Sequence, residues 1–229
     1  MGVQEGWVVA DGLPRSEGAG AAEAAPSSGL ILPLKAIGLF GEHNHSNVCA
    51  AVAAGLLHGI DAAAIRGAVE RFRGVEHRLE LVATVEGVRF VNDSQGTQPD
   101  AVIAALRSFP KPLILIAGGR SKGLPIDELS RVAAEHASAA VLIGETAGEL
   151  TAAFAAAGLG RVERVDTLEV AVERAAALAR ELRTAEHAEA SATVLLSPAA
   201  ASFDMFHDYE ARGRAFNAAV ASLSREEGA

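Results

Sequence analysis

Three segments of the sequence place polar side chains, glycines and prolines directly after apolar runs. They read Asn92-Asp-Ser-Gln-Gly-Thr-Gln-Pro99, Gly118-Gly-Arg-Ser-Lys-Gly123 and Ser197-Pro-Ala-Ala-Ala-Ser202. The glycines of the second segment let a ligand approach the backbone closely, and Lys122 supplies a cation for an anion. Backbone amides at a helix start, as expected after the third segment, suit a carboxylate. These residue types are therefore candidates for binding an anionic small molecule.

Each segment also has a purely structural explanation. The first is compatible with an Asx turn that leads into a helix after Pro99. The second matches neither the dinucleotide pattern G-x-G-x-x-G nor a P-loop. In the third, Ser202 can simply cap a helix that begins at Phe203. No single segment decides the function.

The elements around these segments alternate between strands and helices from residue 79 onward. Apolar runs predict strands at residues 79–85, 88–91, 113–117, 139–143, 162–165 and 193–196, with a hairpin at Glu86-Gly87. Helices are predicted at residues 99–109, 126–136, 147–157, 168–182 and, for the most part, 203–223. This alternation is typical of a Rossmann-like α/β fold, whose largely parallel sheet carries helices on both faces. Ligands of such folds bind at the carboxyl ends of the strands, where the three segments and Gly144-Glu145 fall.

The first third of the chain follows a different pattern. Strands are predicted within residues 6–10 and 30–39, and the Gly-, Ala-, Ser- and Pro-rich stretch at residues 12–29 predicts a flexible loop. One helix is expected to start near Asn47 and end before Gly59, and Asp61 is expected to cap a second helix that runs through Phe72. A boundary is expected at residues 74–77, so we predict two domains, residues 1–76 and residues 77–229.

The composition argues against several classes of function. The formal net charge of the 229 residues is −9, which disfavours a nonspecific nucleic-acid surface. Cys49 is the only cysteine, so the chain can form no internal disulfide, and the apolar neighbours of Cys49 favour a small buried side chain. The histidines lack zinc-ligand spacing, and we expect no metal site in these residues. No stretch approaches the roughly 20 apolar residues of a membrane span, and no signal peptide is visible, so a cytoplasmic protein without membrane contact is expected.

Five stretches, in one order along the chain, resemble the Mur ligase family. They are Gly41-Glu-His-Asn-His-Ser-Asn47, Glu76-His-Arg78, Val91-Asn-Asp-Ser-Gln-Gly-Thr97, Leu115-Ile-Ala-Gly-Gly-Arg-Ser-Lys-Gly123 and Leu195-Leu-Ser-Pro-Ala-Ala-Ala-Ser-Phe-Asp204. The last stretch, which continues through Met205-Phe206 to Tyr209-Glu-Ala-Arg-Gly213, is the most diagnostic. The resemblance extends over residues 30–220. Within the family, the chain is similar to the members that add D-glutamate to UDP-N-acetylmuramoyl-L-alanine.

The resemblance implies an ATP-dependent ligase of peptidoglycan precursor synthesis. Enzymes of this family have three domains, which bind the UDP sugar, ATP and the incoming amino acid in that order. ATP phosphorylates a substrate carboxyl, and the amine of the amino acid attacks the acyl phosphate, which yields a peptide bond, ADP and phosphate. By resemblance, residues 1–76 are the end of the P-loop-type α/β central domain and residues 77–229 are the amino-acid-binding domain. The implied cofactors are ATP and Mg²⁺, and a monomer is expected.

The resemblance assigns one group of residues to the nucleotide. The implied nucleotide-binding residues are Asn44, Asn47, His77, Arg78, Asp93 and Gln95. Asn44 and Asn47 are implied on the adenine side, whereas Arg78 and Asp93 hold the nucleotide from the last domain. Such contacts would link domain closure to ATP. His77 has an alternative role as a hinge residue.

A second group is assigned to the amino acid. The implied residues are Thr97, Lys122, Ser202, Phe203 and Tyr209. Lys122 pairs with one carboxylate of D-glutamate, while Thr97 and the predicted helix start at Ser202 and Phe203 bind the other. Tyr209 either closes over the amino acid or only packs the last helix. Lys122 and Asp93 are the implied catalytic residues.

The sequence departs from the family pattern in two respects. Gln95 and Gln98 stand where the family commonly has Lys and Asn, so a charge near phosphate or substrate is missing, although glutamine still donates hydrogen bonds. No G-x-x-x-x-G-K-[ST] occurs anywhere, and the metal-site lysine that becomes carbamylated in the family has no matching position. We therefore expect the P-loop and the first domain to lie upstream, in a part that is not included.

Two alternatives remain open from the sequence. One is another ligase of the same superfamily, such as a folylpolyglutamate synthase, although such enzymes lack the pairing of Asn-Asp-Ser with Ser-Pro-Ala-Ser. The other is a non-catalytic nucleotide-binding module, which the missing P-loop favours. Lys122, Thr97 and Ser202 in ligase order argue against that module, because a binding module does not need them.

Overall fold

The chain separates into two compact units, Met1–Gly74 and Val75–Ala229. The computed structural model describes residues 1–10, 29–186 and 191–226. Apart from Gly29, the flexible loop predicted at residues 12–29 lies outside the described residues. No helix in the described ranges is long and apolar enough to cross a membrane.

The first unit combines a small antiparallel sheet with two helices. Its strands are β1 (Gly2–Gln4), β2 (Trp7–Val9) and β3 (Leu30–Pro33), in the order β1-β2-β3. Its helices are α1 (His43–Leu57) and α2 (Ala62–Arg71). The two predicted strands are confirmed as β2 and β3, whereas the sequence analysis missed the three-residue β1.

Asp61 begins α2 as predicted. Its carboxylate accepts the backbone N–H groups of Ala63 at 2.8 Å and Ala64 at 3.1 Å. These bonds satisfy two of the donors that the first turn of a helix leaves without a partner. The helix then packs Ile65 into a core shared with β2, β3 and α1.

The second unit alternates strands and helices. Its described elements are β4 (Glu80–Val85), β5 (Val88–Asn92), α3 (Pro99–Leu106), β6 (Leu113–Gly118), α4 (Asp127–His136), β7 (Ala139–Ile143), α5 (Ala147–Ala156), β8 (Val162–Arg164), α6 (Leu168–Glu186), β9 (Ala192–Leu196) and α7 (Tyr209–Glu226). The strand order in its sheet is β4-β5-β9-β6-β7-β8. Only the β4–β5 hairpin is antiparallel, and the other neighbours are parallel. The predicted α/β fold with a largely parallel sheet is confirmed.

The sheet is covered on both faces. On one face, Phe90, Ile116 and Val194 pack against α6 and α7. On the other, Leu115 and Leu195 are also fully buried, and α3, α4 and α5 pack side by side, with α5 contacting β6 and β7. Neighbours along a strand point to opposite faces, so continuous apolar strands require both layers.

The last helix begins later than the sequence predicted. Residues 203–208 form turns, and α7 starts at Tyr209 rather than Phe203. The Asp208 carboxylate accepts the N–H three residues further on at 2.6 Å, so Asp208 caps the helix instead of Ser202. The predicted helix start at Ser202 and Phe203 is therefore wrong, and no helix N-terminus is available there for a carboxylate.

Candidate functional site

The loops that follow β5, β6 and β9 are joined by main-chain hydrogen bonds, and we call their common surface the carboxyl edge. Arg120 and Ala201 form an antiparallel bridge with N···O distances of 2.9 and 3.0 Å. The Ala199 N–H donates to the Gly96 carbonyl at 2.9 Å. Gly119 has a φ of +139°, and a Cβ there would overlap the Ala201 carbonyl oxygen. The three segments picked out from the sequence thus form one continuous surface.

Two residues predicted for the amino-acid site meet on the carboxyl edge. The Lys122 Nζ donates to the Thr97 hydroxyl at 2.7 Å. Lys122 is exposed and Thr97 is half-buried. They come together because β5 and β6, which precede them, run in the same direction and end at the same side of the sheet. An ammonium group and a hydroxyl at one accessible point are both donors for a carboxylate.

Asp93 lies buried in the loop after β5, with 5% of its surface exposed. Its carboxylate accepts the Ser197 hydroxyl at 2.6 Å and the Leu79 N–H at 3.2 Å. Burial raises the pKa of Asp93 to about 6, although these hydrogen bonds and the charge of Arg78 oppose the shift. A Cβ on Gly96 would overlap both the Asp93 carboxylate and the Ser197 hydroxyl. Asp93 therefore ties the β5 loop to β9, and each of its carboxylate oxygens already accepts a protein donor.

His77 and Arg78 precede β4 and lie in different surroundings. His77 is 5% exposed and adopts a φ of +62°. Its Nδ1 lies 3.0 Å from the amide nitrogen of Asn92. The same amide nitrogen donates to the Gly213 carbonyl at 3.0 Å and to the Asn217 side-chain oxygen at 2.7 Å, so His77 and Asn92 are packed against α7. Arg78 is exposed, and its positive charge acts on buried Asp93.

The remaining predicted residues of the second unit are spread along the same edge. The Gln95 side-chain amide lies 3.4 Å from the hydroxyl of Tyr209, the first residue of α7, so these two predicted residues are in contact. Ser202 is 3% exposed, whereas 62% of the Phe203 surface is exposed. The structure thus leaves Phe203 as an apolar side chain in solvent beside the edge.

Asn44 and Asn47 belong to the first unit, at the start of α1. The Asn47 amide donates to the Asn44 side-chain oxygen at 3.0 Å, and the Asn44 amide donates to the Phe40 carbonyl at 2.6 Å. The two side chains are therefore oriented by each other and by the backbone. Their role at the adenine stays a prediction.

Sequence reasoning assigned no role to Ser94 and Arg212, both of which are buried behind the carboxyl edge. The Arg212 Nε donates to the Ser94 hydroxyl at 3.0 Å, and that hydroxyl donates to the Tyr209 carbonyl at 2.7 Å. A signal was available, because Arg212 and Gly213 belong to the most diagnostic stretch of the sequence. Nothing in the residue types alone, however, distinguishes Arg212 from an exposed helical arginine.

An open cavity of about 600 Å³ lies at the ends of β7 and β8. It is lined by Gly144, Glu145, Ala147, Arg164, Val165, Asp166, Asp204 and Met205. The Asp204 carboxylate accepts the Glu145 N–H at 2.9 Å, which attaches the chain after β9 to the β7 loop. The Gly144-Glu145 segment therefore lines the outer end of the strand-end surface.

The described residues contain no group of three or more His, Cys, Asp or Glu side chains placed to hold a metal ion. The acidic residues of the carboxyl edge have protein partners instead. Asp93 accepts Ser197 and Leu79, and the exposed Glu145 pairs with Arg120 at 3.3 Å.

A family model described as "Mur ligase, glutamate ligase domain" matches residues 77–200. The chain belongs to the Mur ligase family. The matched residues include all three strand-end loops apart from Ala201 and Ser202, and they begin at His77.

Curated relatives of this Mur ligase chain are called UDP-N-acetylmuramoylalanine–D-glutamate ligase. The one from Pelotomaculum thermopropionicum is 44% identical over 82% of this chain and 40% of its own length. The one from Symbiobacterium thermophilum is 44% identical over 85% of this chain and 41% of its own length. The chain thus spans about two fifths of the curated relatives it matches.

Solved structures share the fold of the Mur ligase chain. A folylpolyglutamate synthase from Mycobacterium tuberculosis, complexed with ADP and AMPPCP, aligns with a TM-score of 0.61 at 17% identity, over 84% of this chain and 42% of that one. A UDP-N-acetylmuramate–alanine ligase from Thermotoga maritima aligns with a TM-score of 0.55 at 18% identity, over 80% of this chain and 39% of that one. At these identities the likeness concerns the fold.

Proposed function

We propose that this chain is part of an ATP-dependent ligase that joins D-glutamate to UDP-N-acetylmuramoyl-L-alanine in peptidoglycan precursor synthesis. Membership of the Mur ligase family supports the reaction class. The name shared by relatives at 44% identity supports the choice of substrates. Within this proposal, the second unit binds the amino acid, and the first unit is the end of the ATP-binding domain.

The observation that carries the proposal is the contact between Lys122 and Thr97. Their side chains lie 2.7 Å apart on an accessible surface at the ends of parallel strands. D-Glutamate has two carboxylates, so it needs cationic or hydrogen-bonding partners at two points. We assign one carboxylate to Lys122 and Thr97. The other we assign to the turn at Ser202 and Phe203, whose backbone replaces the helix start expected from the sequence.

The nucleotide side of the proposal depends on Arg78. Its guanidinium is exposed next to the buried carboxylate of Asp93, so it can reach a phosphate. The two Asp93 oxygens already accept the Ser197 hydroxyl and the Leu79 N–H, so we assign to Asp93 the positioning of Arg78 and of the β5 loop. We assign Gln95 to this side as well, together with Tyr209, which contacts it, and buried His77 supports Gln95 through its carbonyl, which accepts the Gln95 N–H at 3.0 Å.

ATP and Mg²⁺ require more than these residues. The sequence has no G-x-x-x-x-G-K-[ST], and the described part has no cluster of side chains that fits a metal ion. We therefore propose that the phosphates and Mg²⁺ bind to the portion of the ligase that corresponds to the unmatched three fifths of the relatives. ATP there would supply the phosphoryl group that activates the carboxyl of the UDP sugar substrate. Asn44 and Asn47 in the first unit are assigned to the adenine.

The amino-acid site can be tested on the chain itself. Titration of the ¹⁵N-labelled chain with D-glutamate should shift the backbone resonances of Thr97, Lys122 and Phe203 in a saturable manner. A Lys122→Met variant should lose this response, whereas Lys111→Met, an exposed lysine that precedes β6, should retain it. Shifts spread over the whole surface, or an equal response in Lys122→Met, would contradict the site.

The reaction needs the longer protein. A ligase extended by the missing phosphate-binding part should release phosphate from ATP only when D-glutamate and UDP-N-acetylmuramoyl-L-alanine are both present. A preference for L-glutamate would point to another ligase of the family. Nucleotide binding without any amino-acid-dependent phosphate release would favour a non-catalytic module.

A further inference from the structure

A charged side chain is fully buried behind the carboxyl edge. Arg212 is 1% exposed and is one of the largest fully buried side chains in the described part of the chain. Arginine is almost never fully buried unless its charge has a partner. Burial lowers the pKa of Arg212 to about 10, and the charge of Asp204 opposes the shift, so the guanidinium stays protonated at neutral pH.

The hydrogen bonds of Arg212 go to neutral oxygens on two different loops. Its Nε and Nη2 donate to the hydroxyl and the carbonyl of Ser94, at 3.0 and 2.9 Å. Its Nη1 and Nη2 both donate to the Ala200 carbonyl at 3.3 Å. Ser94 lies in the loop after β5 and Ala200 in the loop after β9. The planar guanidinium therefore connects the loop after β5 to the loop after β9 on the buried side of the carboxyl edge.

The loop after β6 lies close to the guanidinium of Arg212. A Cβ on Gly119, in the loop after β6, would lie 3.3 Å from Nη1 of Arg212, so this loop runs in contact with the guanidinium. The same glycine packs on the Ala201 carbonyl, next to Ala200. One side chain thus bonds two of the loops that form the carboxyl edge and lies beside the third.

We propose that Arg212 is a positioning residue that holds the loops after β5 and β9 in the geometry that presents Thr97 and Ser202 to the amino acid. Its contact at Ser94 is three residues from Thr97, and its contact at Ala200 is two residues from Ser202. Over such distances a shift of the anchored residue displaces the binding residue. The amino-acid part of this inference rests on the proposed function.

Lysine cannot replace this arrangement. Its ammonium is a single point of charge, whereas the guanidinium holds donors in a fixed fork that reaches Ser94 and Ala200 together. The positive charge alone is therefore not the feature that matters. An Arg212→Lys variant separates the charge from the geometry, and Arg214→Lys is the matched control because Arg214 lies on the same helix, exposed and paired with Glu210 at 3.5 Å.

Amide hydrogen exchange of the 229-residue chain without ligand tests the loop part directly. In Arg212→Lys, the N–H groups of Gly96, Ala199 and Ala201, which bond within and between the loops, should exchange at least tenfold faster than in the wild type. Amides in the middle of β7, such as Val141, should keep their rates, and Arg214→Lys should match the wild type throughout. Loop rates unchanged in Arg212→Lys, or rates raised equally everywhere, would overturn the proposal.

The ligand part uses D-glutamate and the same variants. Arg212→Lys should bind D-glutamate at least tenfold more weakly than the wild type and Arg214→Lys, whereas unchanged affinity despite faster loop exchange would refute the positioning role. If the wild type does not bind D-glutamate, the amino-acid assignment fails, while the exchange data still decide whether Arg212 holds the loops. If Arg212→Lys does not fold, Ser94→Ala, which removes the acceptor for Nε, should show the same local pattern with a smaller acceleration, and its absence would overturn the proposal.

Discussion

Replacing Gly213 with alanine should destabilise the second unit by about 2 kcal/mol. Gly213 lies in α7 against the buried ring of His77. A Cβ at this position would overlap Nδ1 and would lie 2.7 Å from Cγ and 2.8 Å from Cε1 of the ring. The ring has little freedom to move away, because Nδ1 lies 3.0 Å from the Asn92 amide nitrogen and His77 is 5% exposed.

Two effects of opposite sign determine the magnitude. Alanine is favoured over glycine in a helix interior by about 1 kcal/mol. Against this, forcing a methyl group into a packed interior costs about 1–3 kcal/mol, and losing the hydrogen bond between Asn92 and His77 costs about 1 kcal/mol more. The steric and hydrogen-bond terms together exceed the gain in helix propensity, so the net effect is destabilising.

Urea denaturation can measure this change in the intact chain. Tyr209 is the only tyrosine and the single tryptophan, Trp7, lies in the first unit, so the tyrosine component of the emission, separated from that of tryptophan, reports on the second unit. Gly148→Ala in α5 is the control, because the nearest atom to a Cβ there is the Arg164 Nη1 at 3.8 Å, and it should be neutral or slightly stabilising. Adding His77→Ala should remove most of the penalty of Gly213→Ala. A Gly213→Ala protein as stable as the wild type would show that the ring and the helix are not packed as described.

Further predictions follow from the carboxyl edge and the two units. The chain alone should show no D-glutamate-dependent ATP hydrolysis, because its sequence has no P-loop; measurable phosphate release would contradict this. In a complete ligase, Lys122→Ala should raise the KM for D-glutamate by about tenfold or more and leave that for ATP nearly unchanged, and steady-state kinetics showing the reverse would move Lys122 to the nucleotide. Because the folded pKa of Asp93, about 6, lies above its unfolded value, its charge destabilises the fold increasingly as pH rises from about 4 to 6. In urea denaturation, the free energy of unfolding of Asp93→Asn minus that of the wild type should therefore increase by about 2 kcal/mol between about pH 4 and pH 7. A difference that does not change with pH would refute this. Val75–Ala229 should unfold cooperatively when produced alone, and Met1–Gly74 should not, as followed by circular dichroism.

The sheet of the second unit was predictable because burial on both faces leaves a simple signature. Every residue of β6, β7 and β9 is buried, so each strand is an apolar run in the sequence, with Thr193 in β9 as the one polar residue. The hairpin at Glu86-Gly87 was equally clear, and Val85 pairs with Val88 as expected. The placement of Lys122 and Thr97 at strand ends followed from the rule that ligands bind where parallel strands end, whereas their direct contact was not predicted, because the sequence analysis assigned them to different carboxylates.

The rest depended on contacts that the sequence does not display. The start of α7 was misplaced because Ser202 has the residue type of a helix cap, and only the turn that follows shows that Asp208 has this role. The burial of Arg212 was missed because arginine on a helix is normally exposed, and its acceptors lie 118 and 12 residues away. The position of β9 between β5 and β6 was not predicted either, since strand order depends on crossovers rather than on local patterns.

The position of β9 between β5 and β6 affects how the protein folds during synthesis. Among the described strands β9 is the last to be made, yet it pairs with β5 on one side and β6 on the other. Until Ala192–Leu196 has left the ribosome, the hairpin β4–β5 and the trio β6-β7-β8 cannot join, and each exposes an apolar strand edge with unpaired backbone groups. Residues that meet between β5 and β9 lie about a hundred positions apart in the sequence, so folding should be slow and should depend on the synthesis of β9. We therefore expect a nascent chain stalled shortly before β9 to be prone to aggregation and to chaperone binding.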